Sequence, residues 1–352
     1  MMEIEPFVLS VRRRVIAELG ALVDVPYPSL AWSKGLEAFV NLAAATSSDR
    51  RARLSCIGFS HREVPRLTRD ALVDFAAGLE LHHLFVLVVD DIMDHGSLRR
   101  GQPTLHRALR AVVSPADAGR MAALLAGVVQ TQAISLMTGA DPSGRAAARV
   151  LAASRAAGIA QFRDMVGLGR DGFDHDGFVR FLFDKGGDHS VAAPLVAGAL
   201  LADPDTVAAP ALERWAFHAG VAFQALDDLA DYLASPLETG KDAFQDLVNR
   251  RPSILTFALA EALGQDATDA VLAAPLTPAH RRRLVHLVDG HGVLDRARDF
   301  IAHHLAMAQA TADLPPRSRP GLDAALGELA TELAAIRTPR TADRVGGTGA
   351  MA

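Results

Sequence analysis

The sequence carries two short acidic clusters, and each follows an apolar run with helical periodicity. The first consists of Asp90, Asp91 and Asp94 (DDIMD). The second lies 137 residues further along and consists of Asp227, Asp228 and Asp231 (DDLAD). On a helix, positions i, i+1 and i+4 place the first and last carboxylates on one face, with the second beside them. Two copies of one acidic pattern at two helix ends predict a fold that brings both ends to a shared ligand.

Facing carboxylates would repel one another strongly unless cations neutralise them. Mg²⁺ prefers oxygen ligands and usually combines a few carboxylates with water and substrate phosphate oxygens, so the pattern favours a diphosphate ligand. The alternative is that both clusters are solvated acidic helix ends. For a single cluster that alternative is the better interpretation, whereas a pair with basic neighbours favours the metal site.

A basic loop follows the first cluster directly. Residues 95–109 read HGSLRRGQPTLHRAL, where a Gly and a Pro mark a loop that carries the adjacent Arg99 and Arg100. Guanidinium groups bind phosphate oxygens through paired hydrogen bonds. Two of them beside an acidic cluster suit a substrate whose diphosphate is bound by metal on one side and by arginine on the other.

Two segments carry a family resemblance. The stretch VDDIMDHGSLRRGQPTLH, together with residues 220–241 (GVAFQALDDLADYLASPLETGK), resembles the trans-isoprenyl diphosphate synthases, also called polyprenyl synthetases. The resemblance implies an all-α, single-domain helical bundle around a central cleft. It also implies Mg²⁺ as cofactor, prenyl diphosphates as small-molecule substrates, and a homodimer. The implied reaction condenses an allylic diphosphate with isopentenyl diphosphate to give a longer prenyl diphosphate.

The resemblance also implies roles for individual residues. The metal ligands would be Asp90, Asp94 and Asp164 on one side of the site and Asp227 on the other, supported by Asp91, Asp228 and Asp231. The allylic diphosphate would be bound by Arg99, Lys185, Lys241 and Gln161. Isopentenyl diphosphate would be bound by Lys34, His83 and Arg100. Gln224 would face the allylic cation, so that Lys185, Gln224, Asp90 and Asp227 form the catalytic set.

The chain departs from the family pattern in the segment that supplies the second-substrate site. The family's GGKRxRP pattern is matched to residues 32–38 (WSKGLEA), where Lys34 remains but Gly35 and Glu37 replace arginines. Each lost charge-assisted contact costs roughly 1.5–3 kcal/mol. The family's Lys-Thr also becomes Lys185-Gly186, and its Gly-Asp becomes Gly127-Val128. These changes predict a weakened site for isopentenyl diphosphate beside an intact allylic site.

Two alternatives follow from that departure. An enzyme that ionises an allylic diphosphate without binding isopentenyl diphosphate would be a class I terpene cyclase, or a prenyltransferase with another acceptor. The retained Lys34, His83 and Arg100 oppose this hypothesis, as does an aromatic content of only 5%, since cyclases steer cations with aromatic rings. A regulatory subunit of a prenyl synthase ranks last, because such subunits usually lose an acidic cluster and this chain keeps both.

Phe85 is the candidate determinant of product length. It lies five residues before Asp90, which is about 7.5 Å along a helix at ~1.5 Å per residue. An aromatic residue at this position resembles the pattern of the family's short-chain synthases. The predicted product therefore has about fifteen to twenty carbons. The alternative is that Phe85 only packs the core.

Composition and charge agree with one large helical enzyme. The chain has 352 residues with 50% hydrophobic content, enough for a sizeable core. Ala- and Leu-rich runs with helical periodicity recur at residues 120–137, 191–201, 255–263 and 321–336, and strand signals are scarce. We predict one domain over residues 1–337 and a disordered tail over residues 338–352.

The remaining features exclude other classes of protein. A net charge of −5 with scattered arginines gives no basic surface for nucleic acid. The single Cys56 and the acidic N-terminus, which does not resemble a signal peptide, predict a cytoplasmic protein. No uncharged apolar run reaches the ~18–20 residues of a transmembrane helix, so no integral membrane segment is predicted.

Overall fold

A computed structural model describes residues 3–45, 49–64, 66–166, 173–233, 247, 250–274 and 277–336. The helices, in chain order, are α1 (Ile4–Ala21), α2 (Leu30–Ala44), α3 (Arg50–Phe59), α4 (Arg66–Met93), α5 (Leu105–Leu109), α6 (Pro115–Ala140), α7 (Arg145–Met165), α8 (His175–Leu182), a π-helix (Phe183–Ala192), α9 (Ala193–Ala202), α10 (Ala209–Leu233), α11 (Ile254–Leu263), α12 (Gln265–Leu272), α13 (Pro278–Gly290), α14 (Val293–Gln309) and α15 (Arg319–Ala335). A short antiparallel hairpin of β1 (Leu98–Arg99) and β2 (Gln102–Pro103) follows α4. The all-α prediction is confirmed. Lys241, the side chain of Asp231 and the predicted tail 338–352 lie outside the described residues.

The core is built from apolar faces that recur at helical spacing. In α4, Leu72, Phe75 and Leu79 are spaced by three and four residues and are at most 2% exposed, which is the pattern of a helix with one face in the core. α4 packs most extensively against α6, and α10 packs against the π-helix and α14. Both helices that carry an acidic cluster are therefore held along much of their length by neighbouring helices.

Local sequence sets where several helices begin. Ser114 accepts a hydrogen bond from the backbone N–H of Asp117 at the start of α6, where Pro115 occupies the first turn. Ser253 and Thr256 form a reciprocal capping box at the start of α11. These contacts satisfy backbone donors that have no partner within the helix. The cap at Ser253 fixes the start of α11 next to the second acidic cluster.

Two glycines allow α3 and α9 to pack backbone to backbone. A Cβ on Gly58 would lie 1.9 Å from the carbonyl oxygen of Leu195, and a Cβ on Gly198 would lie 2.1 Å from that of Ser55. Only residues without a side chain permit this approach. The contact joins the N-terminal helices to the long helical segment that runs from α8 through the π-helix to α9.

The π-helix carries Lys185 and lies against α10. A Cβ on Gly187 would lie 2.6 Å from the backbone of Gly220, so these two helices also meet through glycines. π-Helical turns occur often at functional sites, where the wider turn changes the direction of side chains. Here the π-helix turns Lys185 toward Asp164 of α7, with Nζ to Oδ1 at 2.7 Å.

Two helices are long and apolar enough to cross a membrane by length and composition, over Arg69–Met93 and Pro115–Ala140. They pack against each other, and 56% of the apolar window in the first is buried inside the bundle. Core helices of a bundle meet the same criterion. The absence of a membrane-spanning segment stays a prediction.

Candidate active site

The first acidic cluster lies at the C-terminal end of α4 and is bound by an arginine from the hairpin. Arg99 Nη2 contacts Asp90 Oδ2 at 2.8 Å and Asp91 Oδ1 at 2.6 Å. Asp91 is only 2% exposed, whereas the side chain of Asp90 is 29% exposed. Burial by itself would lower the pKa of Arg99, but the adjacent carboxylates outweigh burial and raise it. Arg99 is therefore a permanent cation next to Asp90.

The hairpin separates the two adjacent arginines. Arg100 and Gly101 have φ values of +53° and +75°, as the two central residues of a type I′ turn require. The turn directs Arg100 away from the acidic cluster, where its Nη1 donates to the carbonyl oxygen of Leu42 at 3.3 Å. The prediction that Arg99 and Arg100 serve different sites is consistent with this geometry.

Asp164 is fully buried and is held between two cations. Its Oδ1 lies 2.7 Å from Lys185 Nζ, and its Oδ2 lies 3.4 Å from Arg251 Nη1. Arg251 also forms an ion pair with Asp94. Nearby Gln161 has a buried amide nitrogen without a hydrogen-bond partner among the described residues. Arg251 was not among the site residues predicted from the sequence, although the basic pair Arg250 and Arg251 shortly before the capped helix α11 is a visible signal.

The second acidic cluster lies at the end of α10. Asp228 is 4% exposed, accepts a hydrogen bond from Gln224 Nε2 at 2.9 Å through Oδ1, and accepts one from the backbone N–H of Ile254 at 3.1 Å through Oδ2. Asp227 is exposed. Because Arg251 reaches Asp94 and Ile254 reaches Asp228, the segment 251–254 contacts both acidic clusters and places them in one site.

The donor chemistry of this site fits a hard divalent cation. The carboxylates of Asp90, Asp94 and Asp227 are at least partly exposed, and carboxylate oxygens are preferred Mg²⁺ ligands. Among the described residues, no three acidic, histidine or cysteine side chains converge closely enough to hold a metal ion. Arg99 and Arg251 instead neutralise the first cluster, so a cation with its anionic substrate would compete with these ion pairs.

A separate group of basic side chains consists of His83, Arg51 and Arg100, and is called here the basic group around His83. The pKa of His83 is lowered well below its ordinary value, first by burial and then by the positive charge of Arg51, with further contributions from the neighbouring His189 and from Arg100. Arg51 is 6% exposed and lies 3.6 Å from Glu80 Oε2. Burial and the neighbouring Arg51 also lower the pKa of Arg100. Glu80 offsets part of the positive charge of Arg51 and Arg100, and the remaining charge suits a second phosphate-bearing ligand.

Lys34 is not part of that basic group. It is exposed on α2 and forms an ion pair with Glu37 one turn away, at 2.7 Å. The start of α3 instead supplies Arg50, Arg51 and Arg53, which have the spacing of the three cations in the family's GGKRxRP pattern. Arg51 is close enough to His83 and Arg100 for its charge to lower the pKa of each, and the Arg50 guanidinium lies 4.4 Å from the centre of the Phe223 ring. The structure therefore gives the match to residues 32–38 no support, and the RRAR run at residues 50–53 is the matching basic signal in the sequence.

Phe85 lies on the partly buried face of α4, 6.0 Å from the ring of His82. His82 Nδ1 is 2.5 Å from Gln130 Oε1 of α6, and its Nε2 is 2.7 Å from Ser154 Oγ of α7. Burial lowers the pKa of His82, so a neutral ring with both nitrogens hydrogen bonded links three helices. This polar group lies below Phe85, further from the acidic cluster.

Comparisons with known proteins agree with these features. The family model described as polyprenyl synthetase matches residues 44–281. The geranylgeranyl diphosphate synthase of Pseudescherichia vulneris is 32% identical over 250 residues, covering 67% of this chain and 73% of that enzyme. The geranylgeranyl diphosphate synthase of Mycobacterium tuberculosis is 30% identical over 234 residues. The match to the latter covers 64% of each protein, so the chain spans somewhat less than two thirds of that relative.

Solved structures show the same fold. The geranylgeranyl pyrophosphate synthase of Corynebacterium glutamicum, complexed with isoprenyl diphosphate and magnesium, superposes with a TM-score of 0.77 and 21% identity, covering 94% of this chain and all of that one. The match to the polyprenyl synthetase family model begins at residue 44, which lies after Lys34 and before the RRAR run. Because the family model covers more than half of its length, the chain belongs to the polyprenyl synthetase family.

Proposed function

We propose that this protein is a Mg²⁺-dependent trans-prenyltransferase that condenses an allylic prenyl diphosphate with isopentenyl diphosphate. The observation that carries the proposal is the segment 251–254, which contacts Asp94 through Arg251 and Asp228 through Ile254. It unites two acidic clusters with Arg99, Lys185 and Arg251 around one site. Acidic ligands with cations between them suit a metal-bound diphosphate leaving group.

The proposed chemistry separates charge. Bound Mg²⁺, held by Asp90, Asp94 and Asp227, would supply a Lewis acid for the leaving diphosphate. Arg99, Lys185 and Gln161, whose amide nitrogen has no hydrogen-bond partner among the described residues, would donate to its oxygens. The allylic C–O bond breaks, and the double bond of isopentenyl diphosphate attacks the allyl cation. A proton then leaves the new chain to the departing diphosphate.

We assign the second diphosphate to the basic group around His83, with Arg50, Arg51 and Arg53 in place of Lys34. Arg51 and Arg100 approach His83 closely enough to lower its pKa. Arg50 pairs with Glu332 at 3.1 Å and Arg53 pairs with Glu5 at 2.6 Å. Both glutamates are more exposed than the arginines, and the second diphosphate would replace them as the anionic partner. This assignment removes the main reason to prefer a cyclase or another acceptor, because three arginines remain for isopentenyl diphosphate.

Replacing the α3 arginines tests the assignment directly. We expect Arg50→Gln and Arg53→Gln, made singly, to raise the KM for isopentenyl diphosphate roughly 10- to 100-fold, the equivalent of one charge-assisted contact of ~1.5–3 kcal/mol. The KM for the allylic substrate should change little. Lys34→Gln is the matched control and should leave both constants within about twofold, as exposed ion pairs contribute little. A higher KM for isopentenyl diphosphate in Lys34→Gln, with unchanged values in the two arginine variants, would instead assign Lys34 to the site.

We propose a product of about fifteen to twenty carbons, limited first by Phe85. Phe85→Ala is expected to lengthen the product by one or two isoprene units, because it removes the ring about 7.5 Å below Asp90 at ~1.5 Å per residue. Mass analysis of the prenyl diphosphates measures the change. Tyr27→Ala, which removes a ring that is 91% exposed between α1 and α2, is the control and should leave the product unchanged. An unaltered product from Phe85→Ala would remove Phe85 from this role.

One experiment separates the proposed reaction from its alternatives. Purified protein and Mg²⁺ are incubated with geranyl or farnesyl diphosphate, with and without isopentenyl diphosphate. The aqueous and organic phases are then analysed by mass spectrometry. A longer prenyl diphosphate that appears only with isopentenyl diphosphate supports the synthase. A hydrocarbon or alcohol formed without it indicates a cyclase. Activity that appears only with a second prenyl synthase indicates a regulatory subunit.

We also propose that the protein is a cytoplasmic homodimer. Ile159 and Phe162 on α7 are 67% and 77% exposed, one turn apart on the helix surface. Large apolar side chains grouped on a surface are typical of an interface. Light scattering should therefore give a mass near twice the 37.3 kDa of the chain, and Phe162→Glu should lower that mass toward one chain.

A further inference from the structure

Gly186 leaves a space that the side chain of Gln224 fills. A Cβ on Gly186 would lie 1.7 Å from Gln224 Oε1 and 2.9 Å from its Cδ. Gly186 belongs to the π-helix and follows Lys185, whereas Gln224 lies on α10 and is 6% exposed. The amide oxygen therefore lies against the π-helix in the volume that any other residue at position 186 would occupy.

The other end of the same amide orients Asp228. Gln224 Nε2 donates to Asp228 Oδ1 at 2.9 Å, and Asp228 Oδ2 accepts from the backbone N–H of Ile254 at 3.1 Å. Both carboxylate oxygens are thus engaged, in a residue that is 4% exposed. In a buried place such hydrogen bonds are strong and directional. Gln224 and Ile254 together fix the orientation of this carboxylate.

The contacts continue from Ile254 back to the lysine. Arg251 lies three residues before Ile254 and pairs with Asp94 and Asp164. The second oxygen of Asp164 lies 2.7 Å from Lys185 Nζ. The contacts therefore form a closed ring, which runs from the π-helix through α10 to the segment 251–254 and returns through α7 to the π-helix.

We infer that Gly186 is a positioning residue, whose missing side chain seats Gln224 so that Asp228 and the segment 251–254 are held in register with Lys185. The inference rests on the proposed function, because it assigns the ring to the diphosphate site. The family pattern has a threonine at position 186. In this chain the residue is glycine, and the side chain of Gln224 occupies the space that a threonine side chain would fill.

The clash at Gly186 differs in kind from the clash at its neighbour. At position 186 a Cβ meets the far end of a flexible side chain, which can rotate away without moving the backbone. At Gly187 a Cβ meets the backbone of Gly220 at 2.6 Å, which cannot move independently. Alanine at 186 should therefore displace Gln224 without unfolding the protein, whereas alanine at 187 should destabilise the packing of the π-helix on α10.

A double-mutant cycle tests the inference. We expect Gly186→Ala to lower kcat roughly 10- to 100-fold through misplacement of the site, with the KM for isopentenyl diphosphate within about threefold and Tm within about 2 °C. Gln224→Ala should lower kcat by a similar factor. In the Gln224→Ala background, Gly186→Ala should cause no further loss, because nothing remains to displace. Gly187→Ala should lower Tm by a similar amount in both backgrounds.

Losses that multiply in the double variant would overturn the inference, as would a Gly186→Ala enzyme with unchanged kcat. A crystal structure of Gly186→Ala supplies a readout that does not depend on the reaction. Gln224 Oε1 should have left its position beside residue 186, and an unmoved amide would overturn the inference even if activity fell. A wild-type protein that converts no prenyl diphosphate would instead contradict the proposed function and leave this structural result intact.

Discussion

Asp90→Ala is expected to lower kcat at least ~1,000-fold, which corresponds to ~4 kcal/mol of lost transition-state stabilisation. Asp90 is the more exposed of the two carboxylates that Arg99 contacts, and its Oδ2 lies 2.8 Å from Arg99 Nη2. Removing it takes away a proposed metal ligand and also leaves Arg99 to pair with Asp91 alone. Steady-state kinetics over a range of Mg²⁺ concentrations would measure both effects, and we expect the half-saturating Mg²⁺ concentration to rise.

The matched control for this variant lies on the same helix. Asp70 is exposed in the first turns of α4, twenty residues from Asp90 or about 30 Å at ~1.5 Å per residue. Asp70→Ala should leave kcat, KM and the Mg²⁺ dependence within about twofold, as is usual for an exposed acid far from a site. An Asp90→Ala enzyme with more than a tenth of wild-type kcat would contradict the assigned metal ligand.

Gly198→Ala should lower the free energy of unfolding by roughly 3 kcal/mol, the upper end of the usual range for overpacked sites. The new Cβ would lie 2.1 Å from the carbonyl oxygen of Ser55 and 2.9 Å from its Cα. In an exposed helix, Gly→Ala stabilises by up to ~1 kcal/mol. The steric term exceeds that gain here, because the backbone atoms of α3 cannot move away. Denaturant unfolding followed by circular dichroism measures the difference.

Gly327→Ala is the control and should change the free energy of unfolding in the opposite direction. Gly327 lies in α15, is exposed, and has no atom within 4 Å of its ideal Cβ position. We expect this variant to gain between zero and ~1 kcal/mol of stability from helix propensity alone. Should Gly198→Ala behave like Gly327→Ala, α3 and α9 would not be in direct backbone contact.

The sequence alone predicted the helical class and the residue types of the site. Periodicity of 3.6 residues makes Leu72, Phe75 and Leu79 one face of a helix, and such a pattern is local. The same locality places Asp90 and Asp94 on one face at a helix end. A resemblance in motif spacing then indicated the family, which the match over residues 44–281 established.

The structure gives no support to the alignment of the chain to the family pattern where no strong motif fixed its register. The basic pattern at the start of α3 has no acidic cluster beside it in the sequence, and Lys34 with its flanking residues offered a weaker match. In the structure Arg51 is close enough to His83 and Arg100 to lower the pKa of each, although these residues lie on α3, α4 and the hairpin. That proximity comes from helix packing, which sequence spacing does not encode.

Tertiary structure decided which partners each site residue has. Asp228 looked like a metal ligand in the sequence, yet Gln224 and Ile254 occupy both of its oxygens. Gly186 looked like a lost threonine, yet the space it leaves holds the Gln224 amide. Local sequence is enough to place particular chemical groups at helix ends, because helical geometry is set by neighbours within a few residues. Only the packing of helices far apart in the chain decided which of those groups meet.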